Sequence, residues 1–353
     1  MNPSARRPLG AVVLAALALL PAAARADEVA EALRKFDKPV DEAIDRALGY
    51  LARSQQADGS FASPMGRNTG ITALCLMAFL AKGHTPGTPP YGDVLDKGID
   101  FVLDSQHHTG MLVASARSHG PMYSHTIATL LLSEVTGMVA PERQRRLDPA
   151  LGKALRLILA AQAVRKPSRH QGGWRYQHSS RDSDISCTGW ALMSLRSARN
   201  NGAAVPKQAI DDAIRFVLQC RSRDGGFGYQ PGGGSGLART GTALLCLELC
   251  GRHRDKAAVS AGDWILGCVP HTRRERFFYY GIYYCSQGMF QLGGDHWEKF
   301  GAHMYQELLK LQDDDGSWPQ GQGNEARAGR GYSTAMAVLA MSVAHRQLPI
   351  YQR

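Results

Sequence analysis

The segment Gln55-Gln-Ala-Asp-Gly-Ser-Phe61 returns near the other end of the chain as Gln312-Asp-Asp-Asp-Gly-Ser-Trp318. A third version has Gln219 followed by Asp224-Gly-Gly-Phe227. Each version places a glutamine ahead of a glycine and a large aromatic residue. Glycine permits the positive φ values that tight turns require, so the segment predicts a turn that the chain repeats.

Three further anchors extend the series. Gln162 is followed, after an insertion, by Gly172-Gly-Trp174, whereas Gln106 and Cys268 stand at comparable positions without a clear glycine-aromatic pair. The six anchors lie 44 to 57 residues apart. Self-similarity at such a period is the signature of repeat architectures, and six units account for most of the chain.

Each unit holds two helical segments of opposite character. The segment before each anchor carries charges on one face and apolar residues such as Ile44, Leu48 and Leu51 at helical spacing on the other. The segment after the turn is nearly free of charge and must be buried on all sides. Amphipathic helices are predicted at 40–55, 93–106, 148–162, 207–220, 256–268 and 297–312, and apolar helices at 71–81, 124–135, 188–197, 240–250, 279–289 and 333–343.

Six amphipathic helices that alternate with six apolar ones predict two concentric rings. We therefore expect an all-α fold, an α/α toroid (α6/α6 barrel) of six helical hairpins. The apolar helices form its inner ring, around a central apolar cavity, and the amphipathic helices form its outer ring. An open solenoid would need polar end caps, and neither terminal unit looks like one.

The first 26 residues have the features of a secretory signal peptide. Arg6 and Arg7 precede an apolar run at 11–20, and Ala24-Arg25-Ala26 offers a cleavage site. We expect an exported protein, periplasmic or secreted, that begins near Asp27. The predicted organisation is a signal peptide at 1–26, an N-terminal lead-in at 27–39, the toroid domain at 40–345 and a tail at 346–353.

The net charge is +10, and it falls to +7 once Arg6, Arg7 and Arg25 are removed. The basic residues are dispersed, with small clusters such as 143–146, and none forms the basic, aromatic-interleaved run that single-strand binders use. We therefore expect no nucleic-acid partner, whereas contact with a membrane surface stays open. The seven cysteines fall mostly in apolar helical segments and are interpreted as buried thiols.

These motifs resemble those of the terpenoid-cyclase and protein-prenyltransferase superfamily. The copies at 55–61 and 312–318 look like the Q-x-x-x-G-x-W motif of squalene and oxidosqualene cyclases. The segment from Cys220 to Tyr229 looks like the C-Q-x-x-x-G-G-F-G segment of prenyltransferase β subunits. The resemblance covers residues 40 to 345 and implies a toroid. In that family the repeat motif staples the outer ring, so it carries no chemistry.

In such toroids the N-termini of the inner helices meet at the mouth of the cavity, where helix dipoles and free N–H groups point. Asp182-Ser-Asp184-Ile185 resembles the D-x-D-D acid of class II cyclases, with isoleucine at the fourth position. Such an acid must stay protonated near neutral pH. Asp182 and Asp184 are therefore the candidate catalytic residues, and a helix N-cap or turn carboxylate is the competing interpretation.

Prenyltransferase β subunits hold catalytic zinc with an Asp-x-Cys pair and a later histidine. Here two residues separate Asp184 from Cys187, and Tyr332-Ser333 stands where the histidine is expected. His125 would complete a three-ligand set. Because the spacing departs from the family pattern, we predict no metal and no cofactor, and keep His125, Asp184 and Cys187 as the alternative ligand set.

A cluster of tyrosines breaks the repeat pattern at a predicted inner-helix start, and aromatic faces suit an isoprenoid chain or a cation. The aromatic residues of the repeated turns are instead expected to pack between hairpins. The candidate cavity-lining residues are His125, Cys187, Arg239, Tyr279, Tyr280, Tyr283, Tyr284 and Tyr332.

The favoured function is that of a terpenoid-cyclase-like or prenyltransferase-like protein that binds or processes an isoprenoid or another lipid-like small molecule. Two alternatives are a non-catalytic toroid scaffold for a protein or ligand and a carbohydrate-active toroid enzyme. Since the cyclase and zinc motifs are both incomplete, the sequence decides neither whether the chain is an enzyme nor its oligomeric state.

Overall fold

The computed structural model describes residues 33–114 and 120–352. The predicted signal peptide and the first part of the lead-in lie outside the described residues. Within these two ranges the ordered backbone is helical, with only isolated bridges of extended backbone. The α-helices of these ranges are α1 (Asp37–Ser54), α2 (Thr69–Ala81), α3 (Gly92–Asp104), α4 (Pro121–Glu134), α5 (Pro141–Ala163), α6 (Ile185–Asn200), α7 (Lys207–Gln219), α8 (Leu237–Leu249), α9 (Lys256–Cys268), α10 (Phe278–Leu292), α11 (Gly294–Leu311) and α12 (Gly329–Met341).

The odd-numbered helices are amphipathic and the even-numbered helices are buried. In α1 the buried residues recur three or four apart, from Val40 through Ile44 and Leu48 to Leu51, which gives a single apolar face. In α2 all thirteen residues are buried. The central residues predicted for the inner ring, Leu74, Leu130, Leu192, Leu244 and Met336, are each at most 2% exposed.

Contacts between helices close the inner ring. Each even-numbered helix packs against the even-numbered helix before it and the one after it, and α12 packs against α2. The all-α toroid with six hairpins, an apolar inner ring and an amphipathic outer ring is thereby confirmed.

The repeated glutamine staples neighbouring units of the outer ring. Gln55 Nε2 donates to the carbonyl oxygens of Gly59 at 3.1 Å and Val94 at 2.8 Å, so it ties its own turn to α3. Gln312 Nε2 does the same across the closing seam, with Gly316 O at 2.9 Å and Ala43 O of α1 at 2.7 Å. The last unit is therefore joined to the first as every stapled pair is joined.

A steric constraint explains why the repeated turn contains a glycine. Gly316 has a φ of +90°, and a Cβ placed there would lie 2.4 Å from the carbonyl oxygen of Arg46. A side chain would thus face both backbone strain and a backbone clash. The turn can approach the next outer helix only because this position is glycine.

Two repeat assignments made from the sequence need correction. Gln106 does head a full copy of the turn, since it pairs with Leu112 as Gln55 pairs with Phe61, and its Nε2 donates to Ala150 O at 2.8 Å. The last position of the turn requires a bulky apolar side chain, and Leu112 provides one in place of an aromatic residue. In the fourth unit the paired residue is Arg221 instead of the predicted Gln219, because Arg221 precedes Phe227 by the interval found in the other turns.

Helix starts also differ from the prediction. α5 begins at Pro141 instead of residue 148, and Arg143 anchors this added segment through ion pairs of 2.8 Å to both Asp96 and Asp100 of α3. The basic cluster at 143–146 is thus partly neutralised within the outer ring. The inner helices begin one to four residues earlier than predicted, since several caps and first turns are polar and resemble loops in sequence.

The axis of the ring is packed with aromatic side chains from the middle of the inner helices towards the end away from their starts. The rings of Trp190 and Tyr283 stack 5.7 Å apart, and Tyr284 is fully buried beside them. The segment after α12 folds back onto this end, where the hydroxyl of Tyr351 lies 2.7 Å from that of Tyr283. The predicted cavity does not extend through this part of the axis. None of the helices in the described ranges has the length and apolar character to cross a membrane.

Candidate functional site

The inner helices all begin at one end of the ring, which we call the mouth. It comprises residues 68–71, 121–124, 184–187, 236–239, 278–280 and 329–332, together with the turns that precede them. Side chains from these starts converge because the parallel inner helices close a ring. Partly buried tyrosines line this end, namely Tyr123, Tyr176, Tyr229, Tyr280 and Tyr332.

Asp184 is the N-cap of α6. Its Oδ1 accepts from the backbone N–H of Cys187 at 2.9 Å, as Oδ1 of Asn68 accepts from Ile71 at the start of α2. The side chain is fully buried. Burial raises the pKa of Asp184 to about 6, against the opposing effect of the Cys187 amide and the Arg175 charge. The Cys187 N–H and the Arg175 guanidinium both favour the carboxylate form of Asp184, whereas a cyclase acid must be held in its protonated form.

Arg175 was not singled out from the sequence, yet it organises the mouth. Its Nη1 lies 3.7 Å from Asp184 Oδ2, and its Nε lies 3.4 Å from Asp182 Oδ2. The guanidinium carbon lies 4.6 Å from the ring centre of Tyr176 and 5.3 Å from that of Tyr229. Both tyrosines stand two residues after a repeat aromatic, and this offset was the available signal.

The candidate catalytic pair is therefore brought together, but in unequal environments. Asp182 is half exposed, and it accepts from Gln230 Nε2 at 3.1 Å. The Cys187 thiol lies beside Asp184, and burial raises its pKa. Asp182, Asp184 and Cys187 thus surround Arg175 at the start of α6.

His125 serves the repeat instead of this cluster. Its Nδ1 accepts from the backbone N–H of Leu112 at 3.1 Å, and burial lowers its pKa to about 4. In four other hairpins the equivalent N–H bonds a threonine hydroxyl; these pairs are Phe61–Thr72, Trp174–Thr188, Phe227–Thr240 and Trp318–Thr334. Within the described part of the chain, no three His, Cys, Asp or Glu side chains are grouped to hold a metal ion.

The remaining candidates divide between mouth and core. Arg239 donates to its own loop at Gly234 O, 3.2 Å away. Tyr283 and Tyr284 are buried within the ring, and Tyr279 is buried at the start of α10. Tyr280 and Tyr332 are partly buried at the mouth.

Glu325 is a second buried acid that the sequence did not reveal. It lies in a short 3₁₀ turn before α12 and accepts from the backbone N–H of Tyr280 at 2.9 Å and of Tyr279 at 3.3 Å. Burial raises its pKa to about 7, opposed by these two amides. Glu325 therefore caps α10 from a neighbouring hairpin, a pairing that only the closed ring creates.

A separate crevice of about 290 Å³ lies at the seam between the first and last hairpins. Its lining includes Tyr50, Ser63 and Arg330. Arg330 forms an ion pair with Asp313 and donates to Ser317 Oγ at 3.0 Å. The charge of this crevice is thus already compensated.

Comparisons with known proteins agree with this architecture. Residues 93–268 match the family model of the prenyltransferase alpha-alpha toroid domain. A squalene–hopene cyclase from Bradyrhizobium diazoefficiens is 28% identical over 192 residues, which are 52% of this chain and 27% of the cyclase. The chain thus spans about a quarter of the length of that curated relative.

Two solved structures share the fold at low identity. A type II terpene cyclase from Scytonema, in complex with its product merosterolic acid A, is 14% identical with a TM-score of 0.55, over 90% of this chain and all of that one. A glycosidase in complex with glucose is 14% identical with a TM-score of 0.54, over 86% of this chain and 96% of that one. Identities this low relate the folds alone.

Proposed function

We propose that this chain, whose residues 93–268 match the model of the prenyltransferase alpha-alpha toroid domain, binds an isoprenoid or another lipid-like small molecule at the mouth of its toroid. The observation that carries the proposal is the set of five partly buried tyrosines above a packed aromatic axis. Aromatic and apolar walls with a few placed polar groups are typical of small-molecule sites.

Binding is favoured over cyclisation by the state of Asp184. A class II cyclase acid has to protonate its substrate, whereas Asp184 accepts a backbone N–H and lies 3.7 Å from a guanidinium nitrogen. Both neighbours stabilise the carboxylate form. We assign Asp184 to positioning and ligand contact.

Native mass spectrometry of the full chain, purified from the envelope fraction of an expressing cell, tests both the ligand and the predicted export. We expect a protein mass that begins near Asp27 and an additional mass that is released on activation and extracts into organic solvent. Tyr229→Ala at the mouth should lose this adduct. Tyr91→Ala is the matched control, since Tyr91 packs against Phe79 and His84 at the far end of α2. Protein without adduct that also fails to take up added polyprenyl lipids would contradict the proposal.

Glycoside hydrolysis is the second candidate. The observation that favours it is the position of Glu325, a buried carboxyl beside the mouth residues Tyr280 and Tyr332. Burial raises its pKa to about 7, which is in the range of a general acid. Release of nitrophenol from aryl glycosides by the parent protein, lost in Glu325→Gln, would support this candidate over lipid binding.

A further inference from the structure

Polar atoms without hydrogen-bond partners are buried just below the mouth. Asp184 Oδ2, Trp190 Nε1, Tyr280 Oη, Tyr284 Oη and Arg175 Nη1 are all inaccessible and have no hydrogen-bond partner among the described residues, although Asp184 Oδ2 and Arg175 Nη1 form an ion pair at 3.7 Å. An unpaired buried polar group costs about 1–3 kcal/mol. Native proteins rarely tolerate several such groups in one place without a partner.

These atoms belong to one patch between α6 and α10. The ring of Tyr280 lies 4.8 Å from that of Tyr284 and 6.4 Å from that of Trp190, centre to centre. Trp190 and Tyr284 are 5.3 Å apart. Burial raises the pKa of Tyr280, the neighbouring hydroxyls of Tyr284 and Ser186 oppose the rise, and the nearby Cys187 thiol and Asp184 carboxylate add to it. The patch therefore extends from the mouth into the aromatic axis.

The donors and acceptors of this patch fit a hydroxyl group. Asp184 Oδ2 only accepts, Arg175 and Trp190 only donate, and a tyrosine hydroxyl does both. A ligand that both donates and accepts is needed to use them. Building on the proposed function, we propose that the ligand is a neutral lipid alcohol whose hydroxyl donates to Asp184 Oδ2 and accepts from Tyr280 Oη, while its chain lies against the aromatic rings.

The charge and the hydrogen-bonding groups of the patch argue against a diphosphate and against a bare hydrocarbon as the ligand. A diphosphate would meet the carboxylates of Asp182, Asp184 and Glu325, and the nearby Arg175 is already held between the first two. A bare hydrocarbon would form no hydrogen bond with any atom of the patch. The alcohol supplies a partner to Asp184 Oδ2 and to Tyr280 Oη without adding charge.

Binding of three ligands with one C15 chain tests the inference, with farnesol, farnesene and farnesyl diphosphate as probes. Their dissociation constants are measured by calorimetry on the full chain, with glucose as a probe for sugar hydroxyls. The test variant is Asp184→Asn. Asparagine can still cap α6, as Asn68 caps α2, but its amide group replaces the acceptor Oδ2 with a donor. Glu134→Gln, which alters a buried acid at the other end of the ring, is the matched control.

We expect farnesol to bind at least about tenfold tighter than farnesene, as one charge-assisted hydrogen bond supplies. Asp184→Asn should remove this preference by weakening farnesol alone, and Glu134→Gln should retain it. Equal binding of farnesol and farnesene, or tightest binding of the diphosphate, overturns the alcohol inference and leaves lipid binding intact. Binding of glucose alone, or of no probe, overturns both proposals.

Discussion

At position 125 the chain has a histidine where four other hairpins have a threonine. The ring nitrogen Nδ1 performs the same task as the threonine hydroxyls, since it accepts the N–H at the end of the repeated turn. The two side chains differ in volume, but they offer an acceptor at the same place. A histidine at a predicted helix start is thus explained by the repeat, without recourse to metal or catalysis.

This equivalence predicts the ranking of two substitutions. His125→Thr keeps an acceptor for the Leu112 N–H, whereas His125→Val leaves that buried donor unpaired, which costs about 1–3 kcal/mol. Threonine and valine have nearly the same shape and volume, so the difference between the two variants isolates the hydrogen bond. We expect urea titrations to give His125→Thr the higher free energy of unfolding by about 1 kcal/mol or more. Equal stabilities would mean that the histidine acts through its size alone.

At the scale of elements, glutamine staples give four seams of the outer ring a comparable bond among the described residues, with donors Gln55, Gln106, Gln162 and Gln312. Replacement of Gln312 by leucine removes the donor shared by Ala43 O and Gly316 O, and Gln55→Leu removes the equivalent donor at the first seam. Each change should lower the free energy of unfolding by about 1–3 kcal/mol.

Gln56→Leu is the neighbouring control, because the Gln56 side chain is exposed and reaches only Ser54 O. Its effect should stay within about 0.5 kcal/mol. If Gln312→Leu were as mild as this control in the same denaturation experiment, the closing staple would contribute nothing to the ring.

The architecture could be predicted because hydrophobic period and turn motif repeat along the chain. Six units indicate the same geometry, so one degenerate turn, such as that ending in Leu112, does not hide the fold. The residues of the candidate site, in contrast, do not recur from unit to unit. Asp184 was found through its motif, but Arg175 and Glu325 sit in irregular turns, and their partners are set by how neighbouring hairpins meet. Sequence periodicity carries no information about that meeting.

At the scale of the whole molecule, Glu134 fastens the segment after α12 to the far end of the ring. Its Oε2 accepts from Ile350 N at 3.2 Å, and its other oxygen accepts from the Ser197 hydroxyl. Burial raises the pKa of Glu134 from 4.5 to about 7, with these two donors opposing the rise. The folded chain therefore holds this proton more tightly than the unfolded chain does.

Stability from this group is greatest at low pH and declines as pH rises from about 4.5 to about 7. Glu134→Gln removes the titration, so the stability of the variant relative to the parent should rise by about 3 kcal/mol between pH 4.5 and pH 8. Urea denaturation of both proteins at several pH values measures this difference. Glu42→Gln, at an exposed site on α1, should show no such trend, and a flat difference for Glu134→Gln would refute the assignment.

The closing staple also fixes an order of assembly. Gln55 reaches a partner 39 residues away and Gln106 one 44 residues away, whereas Gln312 reaches back 269 residues. Loop-closure entropy makes the Gln312 contact less favourable than the other two by about 1–2 kcal/mol when it first forms. Contacts between residues far apart in sequence also form more slowly. Neighbouring hairpins should therefore pack against each other first and form an open arc, and the ring should close last. In the native state the seam between the last and first hairpins should open most readily. Amide hydrogens around Ala43 and Gly316 should therefore exchange with solvent faster than those at seams between hairpins adjacent in sequence.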